Sequence, residues 1–146
     1  MIGVIFNGDV ETTFPQDFDY LMDINLRTPF ILTQFFQDYL AKRKGCVINV
    51  SCAMGQRPEP GAIGYCMTKA GLDMFTKSAA MELAPFGIRV NGVAPTYTDT
   101  NLYRYAGITE SEYESLKARA KKNIPMNRMG KDFEVAKAII FLTSEK

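Results

Sequence analysis

The sequence predicts an α/β fold, a doubly wound parallel sheet with helices on both faces, and two observations predict it. Runs of branched residues, CVINVS at 46–51 and IRVNGV at 88–93, read as short buried strands. A long helical stretch at 65–84 separates them and further helical stretches flank them, so strand and helix alternate as in a three-layer α/β/α arrangement. Two strands are fewer than an ordinary sheet of this type holds. The sheet is therefore expected to be partial.

The elements follow in order. MIGVIF and the turn signal Asn7-Gly8-Asp9 read as a loop with no strand before it. Pro15 suits the first position of a helix, with Asp17 and Asp19 in its opening turn. Apolar residues then recur at Phe18, Leu21, Met22, Phe35, Phe36, Tyr39 and Leu40, which predicts one long amphipathic helix over 15–44, bent near Pro29. Lys42, Arg43, Lys44 and Gly45 close it. After the first strand, the loop GQRPEPGAIG leads into the helix at 65–84, which Pro85 and Gly87 end. The second strand is followed by the loop APTYTDT at 94–100 and by a polar helical stretch, ESEYESLKARAKK, at 110–122. A last helix starts near Asp132, with Val135, Ala138, Ile139 and Leu142 on its apolar side. Residues 1–146 are read as one domain.

Composition narrows the function. The formal charge is +1, so nothing draws the chain to nucleic acid or to an anionic membrane. No apolar run approaches the ~20 residues of a membrane span, and the first residues lack the pattern of a secretory signal. A soluble, cytoplasmic protein is expected. The three cysteines, Cys46, Cys52 and Cys66, match no zinc spacing, and there is no histidine, so no metal site and no imidazole-based hydrolase is expected. Acid-base chemistry falls to carboxylates, tyrosine, lysine or cysteine.

In GYCMTKAGLD, residues 64–73, Tyr65 and Lys69 stand four apart and share one helical face near an N-terminus. A neighbouring ammonium and the positive end of the helix both favour a phenolate, so such a tyrosine can exchange a proton with an alcohol or a carbonyl. The spacing alone also arises by chance in many helices.

The surroundings resemble the short-chain dehydrogenase/reductase family. VINVSCAMGQRPEPGAIGYCMTK at 47–69 is similar to its strand, glycine and Tyr-x-x-x-Lys segment. DINLRTPF at 23–30 resembles its Asn-Leu segment, FGIRVNGVAPTYTDT at 86–100 its Arg-Val-Asn strand and following loop, and NIPMNRMGKDFEVAKAIIFLTSE at 123–145 its late Pro-x-x-Arg-x-Gly loop and helix. The resemblance implies a partial Rossmann-like sheet and hydride transfer between NAD or NADP and a small-molecule carbonyl or secondary alcohol. It implies that Tyr65 is the general acid/base, that Lys69 lowers its pKa and holds the nicotinamide ribose, and that Asn25 holds a proton-relaying water. Pro95, Thr98 and Thr100 would lie along the nicotinamide. Cys52, Met54 and Tyr97 would face the substrate, as would the loop at 54–63 and the helix around 103–122. The helices at 15–44 and 65–84 would build a homo-oligomer interface or pack within one chain.

The pattern breaks in three places. Thirteen residues before Tyr65, where the family places a substrate-orienting serine, stands Cys52, a weaker hydrogen-bond donor. Ser51 is its neighbour but should point to the opposite face. Thr96 stands where a glycine is expected and narrows the backbone's choices there. The glycine-rich turn that receives the pyrophosphate and the last strand are not among these residues, and Met1-Ile2-Gly3 resembles the Asn-Ala-Gly segment after the fourth strand. The expectation is the catalytic portion of a longer domain, inactive by itself, with the first strand's edge unpaired. The rival is a non-catalytic interaction module derived from the family.

Overall fold

The computed structural model describes residues 3–144, so Met1 and Ile2 of the expected Asn-Ala-Gly match lie outside the described residues. Its centre is a two-stranded parallel sheet, β1 (Cys46–Val50) and β2 (Arg89–Val93), in the register Cys46↔Arg89 to Val50↔Val93. The pairing runs on past the strands, with Ser51 N–H donating to the Val93 carbonyl at 2.8 Å and Ala53 N–H to that of Pro95 at 3.0 Å. No strand among the described residues lies on the other edge of β1.

Alternation along the strands separates two helical layers. Asn49 donates to Thr76 of α3 (Ile63–Leu83) at 2.9 Å, while Val47 and Val90 pack with Ala79, Leu83 and Ile88. On the opposite face Arg89 donates to the carbonyls of Leu142 at 2.8 Å and Ser144 at 3.2 Å, ending α6 (Asp132–Thr143) with a cation where the dipole is negative. The arrangement is α3, sheet, α6.

The expected long helix is two. α1 (Pro15–Met22) and α2 (Thr28–Arg43) are joined by a π-helical turn, Asp23–Arg27, where Thr28 N–H reaches back to the Asp23 carbonyl. The irregularity precedes Pro29 because proline brings no N–H to the carbonyl four residues back, which is that of Asn25. Lys44 takes the left-handed conformation at the end, φ 48°. Nor is α2 amphipathic: Phe30, Ile31, Leu32, Phe35, Phe36 and Tyr39 are exposed, and Thr33 is its one buried residue among those described.

Beyond β2 the chain forms β3 (Thr98–Asp99), α4 (Leu102–Tyr105), α5 (Glu110–Asn123) and β4 (Gly130–Lys131), with β3 and β4 pairing in parallel. A capping box between Thr109 and Glu112 starts α5. Tyr97, Tyr103, Tyr113, Ala120 and Met129 form the core of this region. Of the expected apolar side of α6, Val135, Ile139 and Leu142 are half-buried and Ala138 is exposed. Among the described residues no helix is long and apolar enough to cross a membrane.

Candidate active site

A cleft of about 510 Å³ opens beyond the carboxyl ends of β1 and β2, where ligands sit in open parallel sheets. Val50, Ser51, Cys52 and Met54 line it from the end of β1, Pro95, Thr96, Thr98 and Thr100 from the end of β2, and Tyr65 and Lys69 from the start of α3. Helix α3 begins at Ile63, two residues earlier than expected, which leaves Tyr65 in its first turn.

The pair is deeply set, with Tyr65 5% and Lys69 4% exposed. Lys69 Nζ donates to the Val50 carbonyl at 3.0 Å and lies 5.4 Å from the centre of the Tyr65 ring. Burial depresses the Lys69 pKa, and electrostatic interaction with Cys52 and Asp73 opposes that shift. The Tyr65 phenol is pushed well above its ordinary value, first by burial, then by charge and hydrogen bonding at Cys52. This reverses the expected lowering: the ammonium is committed to Val50 and sits by the ring, too far away to offset desolvation of the phenolate. Tyr65 therefore holds its proton at neutral pH.

Asn25 does not line the cleft. From the π-turn its Oδ1 accepts from Val4 N–H at 2.9 Å, and its Nδ2 donates to the Val4 carbonyl at 2.8 Å and to Thr68 Oγ1 at 3.3 Å. Thr68, fully buried, donates to the Tyr65 carbonyl at 2.8 Å. One chain of bonds thus ties the N-terminal segment and the π-turn to the turn of helix that bears Tyr65 and Lys69.

Ser51 and Cys52, just beyond the end of β1, both border the cleft but take different partners on α3. Ser51 Oγ donates to the Lys69 carbonyl at 3.2 Å, while Cys52, extended at φ −156° and ψ 150°, meets the Tyr65 side chain. Thr96 costs no strain, since it is absent from the positive-φ residues, and its side chain is exposed. Thr98 Oγ1 donates to the Thr96 carbonyl at 2.9 Å, and Thr100 Oγ1 accepts from Leu102 N–H at 3.3 Å.

Tyr97 departs from expectation. It is buried in the α5 cluster under Arg119, 6.0 Å from its ring, and does not line the cleft. Burial first and the Glu59 carboxylate second raise its pKa, although its hydroxyl makes no well-formed hydrogen bond. Met54 lines both this cleft and a second cavity of about 340 Å³ that holds Glu59, Pro60 and Arg119.

Three contributors were not assigned to the site from the sequence. Gly3 passes so close that a Cβ there would stand 2.8 Å from Asn25 Oδ1 and 3.2 Å from Lys69 Nζ. At Gly55 a Cβ would stand 2.8 Å from the Lys69 backbone, so the turn after β1 packs directly on α3. Asp132, Val135, Ala136 and Ile139 of α6 form the far wall. Their spacing of three and four was a visible signal of one shared face.

Comparison with known proteins gives the chain's family. The family model described as Enoyl-(Acyl carrier protein) reductase matches residues 1–146. The chain is 39% identical over 132 residues to 3-oxoacyl-(acyl-carrier-protein) reductase FabG of Thermotoga maritima, covering 90% of this chain and 51% of that protein. It is 37% identical over 130 residues to the Aquifex aeolicus protein of the same name, covering 88% and 50%. The chain thus spans about half the length of these curated relatives. A gluconate 5-dehydrogenase from Burkholderia cenocepacia, solved with NADP and tartrate, superposes with a TM-score of 0.88 at 28% identity, over 98% of this chain and 55% of that one. With a family match along its whole length, a Rossmann-type α/β arrangement and Tyr65 and Lys69 at the mouth of its sheet, the chain belongs to the short-chain dehydrogenase/reductase family.

Proposed function

We propose that this chain supplies the nicotinamide-facing, carbonyl-handling part of a cytoplasmic NAD(P)(H)-dependent oxidoreductase that interconverts a ketone and a secondary alcohol. The observation that carries the reading is the buried Tyr65 and Lys69 pair opening onto one cleft with Pro95, Thr98 and Thr100.

These residues fit the nicotinamide end of a dinucleotide. Among the described residues the one hydrogen bond of Lys69 Nζ is to Val50, which leaves two N–H donors for ribose hydroxyls. Gly3 keeps that approach open, because a side chain there would fill it. When bound, the nicotinamide supplies or accepts the hydride. Tyr65, protonated at neutral pH, donates its proton to the substrate oxygen in the reducing direction. The Cys52 thiol beside it orients that oxygen more weakly than a hydroxyl would. Asn25 acts through its backbone carbonyl, since its side chain is engaged by Val4 and Thr68 and Pro29 brings that carbonyl no N–H. A water held there relays protons to Lys69.

The relatives' names make a 3-oxoacyl thioester the first substrate to test. In the protein that carries these residues, Tyr65→Phe is expected to lower kcat for NADPH-dependent reduction by about 10²–10⁴-fold. A loss of less than about threefold would count against Tyr65 as the proton donor. The 146 residues alone are expected to stay at background turnover, because the glycine-rich pyrophosphate turn is not among them. Measurable steady-state reduction by them alone would overturn that part.

A second reading, an interaction module, is favoured by one observation: the exposed aromatic surface of α2. We expect this surface, with the Met67, Met74 and Met81 side of α3, to pack against a second copy or within a longer chain. Retained nicotinamide binding by the cleft separates the two readings.

A further inference from the structure

We propose that Met54 is a specificity-determining residue between the cleft at Tyr65 and the second cavity, and that this cavity takes one arm of the ketone, apolar near the carbonyl and ending in a neutral hydrogen-bond donor such as a hydroxyl. The two spaces, about 510 and 340 Å³, share a wall made of Ile5, Met54 and Tyr103. Ile5 and Tyr103 are buried, each in its own core cluster, while Met54 is half-buried and packs against both clusters. Methionine is unbranched and adapts its shape readily, so of the three it is the one that can swing aside without unpacking a core.

The lining decides the end of the arm. Ala62, Ala106, Ile108 and Leu116 offer apolar surface to its carbons, and Glu59, Glu112 and Arg119 stand beside them. Arg119 is the one cation lining the cavity among the described residues, and Glu59 already holds it at 3.1 Å. Glu112 accepts from the Thr109 N–H and from its hydroxyl, each at 2.7 Å, at the positive end of α5. An arm ending in a carboxylate would meet two carboxylates and a guanidinium already paired, so it is repelled. One ending in an ammonium would give up its water to carboxylates whose charge is already offset, and gains little. A hydroxyl is cheaper to desolvate and finds acceptors. Tyr97 sits in the field of the Glu59 carboxylate, yet its hydroxyl closes no well-formed bond, so Glu59 keeps acceptor capacity.

With the carbonyl oxygen at Tyr65, one substituent of the ketone stays in the cleft and the other passes Met54. A short ketone leaves the second cavity unused and gains nothing from it. Discrimination therefore comes from the arm, while the reacting carbonyl is held alike in every substrate. This assignment rests on the proposed function in one respect, the placing of the carbonyl at Tyr65.

The test is amide NMR of the 146-residue chain titrated with butan-2-one, 6-hydroxyhexan-2-one and 5-oxohexanoate, a short ketone and two long ones that differ in the end of the arm. The hydroxyketone is expected to shift Ile108 and Leu116 together with Tyr65 and to bind about tenfold or more tightly than either of the others. Met54→Phe, which fills the passage, is expected to bring the hydroxyketone to within about twofold of butan-2-one. Glu59→Gln, which frees Arg119, is expected to tighten 5-oxohexanoate by about tenfold, a gain that misfolding cannot produce. Shifts at Ile108 and Leu116 without one at Tyr65 uphold the arm site and count against the carbonyl at Tyr65. No shift at Ile108 and Leu116, or 5-oxohexanoate binding as tightly as the hydroxyketone in the unsubstituted chain, overturns the assignment whatever Tyr65 does.

Discussion

Helices α2 and α3 are both long and rich in apolar residues, yet they spend them in opposite ways. α3 buries eight residues, among them the polar Thr68 and Lys69, and touches β2, the π-turn and the Gly55 turn. α2 turns Phe30, Phe35, Phe36 and Tyr39 to solvent. The comparison teaches that apolar content does not locate the core. Position of the site is fixed where polar groups are buried and bonded, because such groups tolerate few arrangements.

Truncation separates the two helices most sharply. Leu72 on α3 is 2% exposed, and Leu72→Ala is expected to cost about 2–5 kcal/mol in urea unfolding. Phe35 on α2 is 77% exposed, and Phe35→Ala should stay within about 0.5 kcal/mol. Equal costs would break the comparison.

Asn25→Ala sharpens it. The change removes three hydrogen bonds that join Val4 and Thr68 to the π-turn and leaves the Val4 N–H and carbonyl without that partner. A loss of about 1–3 kcal/mol is expected, together with faster amide exchange at Lys69. A loss confined to residues 3–8 would show that the bond chain does not reach α3.

The smallest effect belongs to the entry of α6, which exposed contacts hold. Glu134 accepts from Arg128 at 2.6 and 2.9 Å and from Lys131 N–H at 2.7 Å, and these donors, Arg128 first, lower its pKa from 4.5 to about 2. A carboxylate depressed on folding contributes stability above its unfolded value and loses it as pH falls through the folded one. The α6 entry should therefore loosen as pH falls from about 4.5 toward 2. Following the Glu134 carboxyl by NMR, Arg128→Ala should move its midpoint upward; an unmoved midpoint would contradict the assigned cause.

Much of this was legible in the sequence. CVINVS and IRVNGV announced β1 and β2 through branched residues, and the spacing of Tyr65 and Lys69 placed both on one face. What escaped depends on tertiary partners. The π-turn at Asp23–Arg27 combines the missing N–H of Pro29 with bonds from Asn25 to residues far away in sequence. β3 and β4 pair two residues each, too few for composition to mark. The raised pKa of Tyr65 was invisible because helical spacing reports the nearness of Lys69 but not where its ammonium points or how dry the site is.

The central claim is that the cleft holds the nicotinamide end of the cofactor through Lys69 and the β2 loop. Nicotinamide mononucleotide, which lacks the adenosine half, tests it directly when titrated into the 146-residue chain under amide NMR. Saturable shifts at Lys69, Thr98 and Thr100, lost in Lys69→Ala while the remaining spectrum stays folded, are the predicted result. Shifts confined to the α5 region, or none at concentrations up to roughly the millimolar range of weak small-ligand binding, would contradict it.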